Sequence, residues 1–342
     1  MDAIRREEID YLAAVARIRV LETRLLRDQE IDRMLDMQVA DDVWKMVREL
    51  WDLPEEPLQD FERVLGEHLT GLYSYVTSFL PSPDVVYWLG IRNDYHNLKV
   101  LLKEALLHET ANEGAFSDLG TVSVSQLRSQ LDAFEEVRPH EHEPEVLVSW
   151  QERLPASYQQ AVGDAQERYQ ATGDPQIIDV VLDRYQLGDS RQQAEVLGPE
   201  IHEMAVALGE MANLKILLRS NKLGKSLQFL RLALVEGGKL PPYRWEELLG
   251  RAADEVASSL GSPYEELIRS AGADPGRVER EADNFILKML KTSRYVAMGP
   301  WPVVAFLWAK ENDVRNVRIL LSGKINGAST EAIRERLRDT YV

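Results

Sequence analysis

Three carboxylate–asparagine pairs are the most chemically suggestive feature of this chain. Asp94 and Asn97, Glu210 and Asn213, and Asp313 and Asn316 each stand three residues apart, inside segments that align without gaps. The shared pattern is an acid, two variable residues, Asn, an aliphatic residue, a cation, a β-branched residue, Leu, Leu. The asparagines lie 116 and 103 residues apart. Three matches at near-regular spacing indicate an internal triplication of roughly domain-sized units. Such a pair can tie its own helix to neighbouring backbone or to a basic partner. Alternatively, three of them can form a repeated proton or ion site. The structural role is the preferred expectation, because buried polar networks serve architecture more often than reaction and a catalytic site is usually a single constellation.

Other reactive-looking groups lack the spacing their chemistry requires. Gly224-Lys225-Ser226 resembles the end of a phosphate-binding loop, but the glycine needed five residues earlier is Arg219, and a helical pattern precedes it where a strand should be. His140-Glu141-His142-Glu143 could ligate a metal, yet it lacks the H-E-x-x-H register and sits in the acidic stretch Asp132–Glu145, which is broken by Pro139 and Pro144 and is expected to be a solvated loop. His202-Glu203 has no second histidine four residues on. Asp179 and Asp183, with Arg184 beside them, are explained by paired surface charge. There is no G-x-S-x-G or G-x-G-x-x-G motif. No enzyme, cofactor or metal is expected.

The elements that must position the three pairs are helices. Apolar residues recur at three- and four-residue spacing, as in Ile9, Leu12, Ala13, Ala16, Val20 and in Ile31, Met34, Leu35, Val39, Val43, Met46, Val47, Leu50. Period-two alternation is scarce, with Val122–Val124 its best case. Breaks fall at Leu80-Pro81-Ser82-Pro83, at Gly237-Gly238 with Pro241-Pro242, and at Gly299-Pro300-Trp301-Pro302. Proline in a first helical turn is harmless because its missing N–H has no intrahelical partner there. At about 100° per residue, with the Asn at zero, the first Leu of the closing pair falls near 40° and the acid near 60°. Acid and Asn therefore lie inside the apolar stripe, where they need hydrogen-bond partners. The cations Lys99, Lys215 and Arg318 fall on the other side. With Arg219, Lys222 and Lys225 they are candidate contacts for an acidic partner or a neighbouring domain. The fold class is all-α.

The bulk composition closes further options. The chain has 342 residues and a formal charge of −17, with 28% charged and 44% hydrophobic residues. That is ordinary for a folded protein with a sizeable core. A globally acidic chain is a poor nucleic-acid binder. The absence of cysteine excludes disulfides, thiol nucleophiles and Cys-ligated metals. No apolar region follows Met1–Arg6, so no signal peptide is expected. The longest apolar run, Val303–Ala309, has seven residues against the roughly 20 of a membrane span.

With the triplet in hand, the chain resembles the C subunits of the bacterial and archaeal V-type (A-type) rotary ATPases, which are homologous to the d subunits of the eukaryotic enzymes. The likeness is carried by the repeated N-[LV]-[KR]-[VI]-L-L and is strongest over Glu210–Gly238, over Asp283–Leu290 with Tyr295–Pro302, and over Asp313–Val342. The first unit, Asp94–Lys103, matches more weakly, and His108–Gln160 carries little signature and departs in its acidity. Coverage is roughly two-thirds of the chain. The resemblance implies three similar helical domains, at 1–115, 116–235 and 236–342, arranged as a funnel about a pseudo-three-fold axis. It further implies a non-catalytic central-stalk component on the cytoplasmic face of the membrane rotor ring, a socket for the D and F axle subunits that transmits torque for proton or sodium transport. The alternative from another class is a free-standing helical adaptor descended from the same triplication.

Overall fold

The computed structural model describes residues 9–108, 110–136, 155–272 and 274–342. Three long helices organise it, and each carries one acid–Asn pair. The first is α5 (Asp84–Leu107), the second α9 (Pro199–Leu223) and the third α15 (Trp301–Ile325). Each starts at a proline: Pro83 stands immediately before α5, while Pro199 and Pro302 occupy the first turns of α9 and α15. α9 stops at Gly224, whose φ of 62° gives the left-handed cap that a side chain would disfavour.

The remaining helices wrap these three. Before α5 come α1 (Leu12–Glu22), α2 (Asp28–Asp36), α3 (Ala40–Trp51) and α4 (Phe61–Thr77). Between α5 and α9 run α6 (Val124–Glu136), α7 (Ala156–Thr172) and α8 (Gln176–Leu197). The short helices α10 (Leu227–Ala233), α11 (Pro242–Glu246), α12 (Ala253–Leu260) and α13 (Tyr264–Ala271) lead to α14 (Pro275–Leu290), and α16 (Thr330–Arg334) follows α15. No strand occurs among the described residues, and the fold is all-α.

Two buried apolar clusters hold the helices together. The larger takes in α1, α5, α7, α8, α9, α14 and the first half of α15, from Trp301 to Ala309. The smaller joins Leu26–Leu69 to Val314–Leu337, so the N-terminal and C-terminal parts of the chain share one core. α15 belongs to both and packs against α1, α3, α4 and α5. Sixteen of its 25 residues are buried. Its first two turns, Trp301–Leu307, are apolar on all sides and buried on all sides, while Arg315 and Ile325 reach the surface further on.

The helical reading of the Ile9–Val20 run holds, and the loop expected over Asp132–Glu145 needs correction. The stripe Ile9, Leu12, Ala13, Ala16, Val20 is exposed along its whole length; the face of α1 in the core is Tyr11, Ala14, Val15 and Ile18. The period correctly indicates a helix, but α1 is apolar on two sides and periodicity does not say which is covered. The acidic stretch also begins helical, since α6 runs through Asp132 to Glu136. Residues 137–145, including His140 and His142, lie outside the described residues.

Candidate functional site

All six residues of the three pairs are buried, which follows from their place inside the apolar stripe of a long helix. Each asparagine meets its need for partners in the same way. Asn97 Nδ2 donates to the carbonyl of Ser117 at 2.9 Å, and its Oδ1 accepts from the Ser117 N–H at 2.8 Å. Asn213 does the same with both backbone groups of Val235, at 2.9 and 2.8 Å. Asn316 repeats it on Arg338, at 3.0 and 2.9 Å. One carboxamide thus clamps both polar groups of one backbone residue lying 20, 22 and 22 positions downstream. The chemistry selects Asn: a carboxylate has no donor and a hydroxyl cannot span the two groups.

The acids extend the clamp. Asp94 Oδ1 accepts from the backbone N–H groups of Thr121 and Val122 at 2.7 and 3.1 Å, and its Oδ2 accepts from the Thr121 hydroxyl and, at 3.0 Å, from Tyr158. Burial pushes its pKa upward, and these four bonds pull it back. Glu210 Oε1 accepts from Leu240 N–H at 3.0 Å, and the Glu210 carboxylate also meets the Tyr264 hydroxyl. A glycine sits against each carboxylate. A Cβ at Gly120 would lie 2.5 Å from Asp94 Oδ1, and one at Gly238 3.0 Å from Glu210 Cγ. Gly120 and Gly238 each follow the clamped residue by three positions. Sequence reasoning missed these downstream positions, although a signal existed: Ser117-Asp118-Leu119-Gly120 and Val235-Glu236-Gly237-Gly238 share an acid and a glycine at matching offsets.

The third acid is different. Asp313 Oδ2 accepts from the N–H of Leu26 at 2.9 Å, bonding α15 to the N-terminal part of the chain instead of to a downstream turn. Its Oδ1 has no hydrogen-bond partner among the described residues. Lys310, 4% exposed, lies one turn away on the same helix, with its Nζ 3.3 Å from the centroid of the Trp51 ring, and His68 stacks parallel to that indole at 5.5 Å. Burial pushes Asp313 up to about 7 against the opposing pull of Lys310, and pushes Lys310 down to about 7. Burial and the Lys310 charge lower His68 to about 4. The three acids are therefore not brought into one site; each has its own set of partners.

The candidate contact cations divide. Lys99 pairs with Asp183 and Lys103 with Asp179, fastening α5 to α8. Arg318 pairs with Glu62 at 2.7 Å, fastening α15 to α4. Lys225 donates to Gln176 at 2.8 Å and lies over Phe229. Arg219 and Lys222 are exposed and make no ion pair among the described residues, and Lys215 is half-buried. The Gly224-Lys225-Ser226 junction is structural: Gly224 caps α9, and the Ser226 hydroxyl caps α10 by accepting from Phe229 N–H at 3.2 Å. No cluster of three metal-ligating side chains occurs among the described residues, and none of their helices is long and apolar enough to cross a membrane.

Further bonds strap the two ends of the chain together. Arg92 of α5 and Tyr73 of α4 both donate to Glu311 of α15. Arg19 donates to the carbonyls of Ser293 and Val296 at 2.6 and 2.8 Å. Thr340 donates to Asp28 at 2.7 Å.

Comparison with known proteins agrees with the family likeness. The chain is 28% identical over 292 residues to the C subunit of the V-type sodium ATPase of Enterococcus hirae, covering 83% of each. It is 24% identical over 355 aligned positions to the C subunit of the A-type ATP synthase of Methanocaldococcus jannaschii, covering 96% of this chain and 86% of that one. The family model described as ATP synthase (C/AC39) subunit matches residues 14–336, a span that holds the six paired residues, and the chain belongs to that family.

Proposed function

We propose that this chain is a non-catalytic central-stalk component of a V/A-type rotary ATPase. In this reading it is a socket that receives the D and F axle subunits, sits on the cytoplasmic face of the membrane rotor ring, and passes torque to it. The family match over residues 14–336 carries the proposal. The clamps support it physically. A torque coupler has to resist twisting, and a backbone bonded at both its donor and its acceptor cannot slide along the helix that holds it without breaking two bonds at once.

The same reading takes 1–115, 116–235 and 236–342 as repeat units set as a funnel about a pseudo-three-fold axis. The core shared by Leu26–Leu69 and Val314–Leu337 supports a closed arrangement in which the first unit meets the third. Arg219 and Lys222 are the cations proposed for contact with an acidic partner, being exposed and without an ion pair among the described residues.

Native mass spectrometry of the tagged chain, drawn from gently solubilised host membranes, tests the proposal. One copy per assembly, together with axle subunits and a ring oligomer, is the expected result. Recovery of the chain alone, or with an unrelated partner, refutes it.

A further inference from the structure

One stretch of this acidic chain carries only positive charge. Met211–Val235 holds five cations and no carboxylate in 25 residues, although 57 of the 342 residues are acidic. Three of the five, Lys215, Arg219 and Lys222, lie on α9 at spacings of four and three, so at about 100° per residue they fall within an arc of about 60°. Arg219 and Lys222 are exposed and Lys215 is half-buried, and none of the three side chains makes a hydrogen bond or ion pair with a described residue. The matching positions on the other two long helices differ. On α5 they are Lys99, Lys103 and Leu106, and both cations pair with carboxylates of α8. On α15 they are Arg318, Ser322 and Ile325, and the one cation pairs with Glu62 of α4. No such carboxylate comes to α9. On α8, α11, α14 and α15, which pack against it, every acid except Glu279 is bonded to another residue, and Glu279 makes no ion pair with the row.

We infer that the Lys215–Arg219–Lys222 row receives an acidic segment of a partner protein, whose carboxylates do for α9 what Asp183 and Asp179 do for α5 and Glu62 does for α15. The row is unfavourable in the isolated chain, because like charges three and four residues apart on a helix repel. The helix dipole accounts for Lys222 alone, since its effect ends within the last turn. Neutralisation from outside relieves the repulsion, and complementary charge of this kind sets partner choice and docking rate. Leu223, 59% exposed, adjoins Arg219 and Lys222 and offers the apolar contact that a protein interface covers. An anionic bilayer fits less well. The row is a single line of cations on a chain of net charge −17, and the matching cations of α5 and α15 hold carboxylates of a facing helix. Lys225 takes no part, being held by Gln176. The inference rests on the rotary-ATPase reading proposed above and assigns its contact cations to one row with one chemistry.

The test is zero-length crosslinking of the tagged full chain, in whatever assembly it brings from gently solubilised host membranes. A water-soluble carbodiimide joins an amine to a carboxylate only where the two already touch, and mass spectrometry locates each new amide. Lys99–Asp183 and Lys103–Asp179 adducts within the chain show that the reagent has worked. The expected result is an amide from Lys222 or Lys215 to Asp or Glu of one acidic segment in another protein. Arg219→Glu with Lys222→Glu should lower recovery of that protein about tenfold, and Lys45→Glu, at an exposed site on α3, should leave it unchanged. Circular dichroism of each variant confirms that the fold is intact. Four results would each overturn the inference: row adducts only to carboxylates of the chain itself, no row adduct while the two internal ones form, undiminished recovery of the partner by the reversed variant, or binding to phosphatidylserine vesicles as the only property the reversal abolishes. Recovery of the parent chain in a rotary assembly without a row adduct counts against the row and leaves the function standing. A row adduct to an acidic protein outside any rotary ATPase upholds the row and counts against the function.

Discussion

In Asn213→Leu the new side chain keeps much of the volume of the old one and removes both of its bonds to Val235. Val235 is buried, so neither its N–H nor its C=O can turn to water instead. A buried backbone group left without a partner costs about 1–3 kcal/mol, so the pair costs about 2–6 kcal/mol. At about 2–4 °C per kcal/mol, the midpoint of thermal unfolding should fall by at least about 4 °C. Circular dichroism reads the midpoint, and hydrogen exchange at the Val235 amide reads the clamp itself, where protection should fall about 30-fold or more. A second variant separates the clamp from general packing. Asn213→Asp can satisfy both backbone groups only when protonated, so its carboxyl should titrate above its unfolded value. The clamp contribution should then be present below about pH 4 and be lost as pH rises through the higher folded value. Asn213→Leu should show no such recovery relative to the parent chain. If Asn213→Leu melts with the parent and Val235 stays protected, the clamp does not hold this turn and the stiffness argument fails.

The Lys310–Asp313 pair should set a stability minimum. Asp313 titrates near 7, above its unfolded value, so its contribution falls as pH rises from about 4 to 7; Lys310 titrates near 7, below its unfolded value, so stability returns from about 7 to 10. Lys310→Met with Asp313→Asn keeps an acceptor for Leu26 N–H, and should match or exceed parent stability at pH 7 by up to about 4 kcal/mol while removing the dip, which urea midpoints across this range would show. His68 is held neutral with its pKa lowered to about 4, so the parent loses stability as pH falls from about 6.5 toward 4. His68→Phe keeps a ring against Trp51 and should gain on the parent over that same interval; a gain that does not vary with pH would contradict the assignment. Gly120→Ala places a Cβ 2.5 Å from Asp94 Oδ1, and should destabilise the fold by an amount typical of overpacking, about 1–3 kcal/mol, read as a lower melting midpoint, with Gly114→Ala, which meets nothing within 4 Å, as the control.

The site was half legible. Asp94, Asn97, Glu210, Asn213, Asp313 and Asn316 stand out because repetition and helical phase are local properties of a string. Their partners do not. Ser117, Val235 and Arg338 have nothing in common as side chains, because the clamp uses only their backbone, and backbone is the same at every position. The glycines at 120 and 238 were the available clue, since each is required by the approach of a carboxylate. The third acid could not be anticipated even so: Leu26 is an ordinary core leucine whose N–H happens to end the turn that faces α15.

Helical class and the burial of the three pairs follow from residue order, since a 3.6-residue period and a repeated motif survive without knowledge of what packs where. Coverage of a face is another matter. Ile9, Leu12, Ala13, Ala16 and Val20 form as good a stripe as Tyr11, Ala14, Val15 and Ile18, and only the packing of α1 on α15 put the second inside and left the first in water. The same holds for charge. Lys99 and Arg318 looked like free surface cations until α8 and α4 brought Asp183 and Glu62 to them. Sequence periodicity encodes which residues share a side of a helix. Which side is buried depends on contacts between segments hundreds of residues apart, and those exist only once the chain has closed on itself.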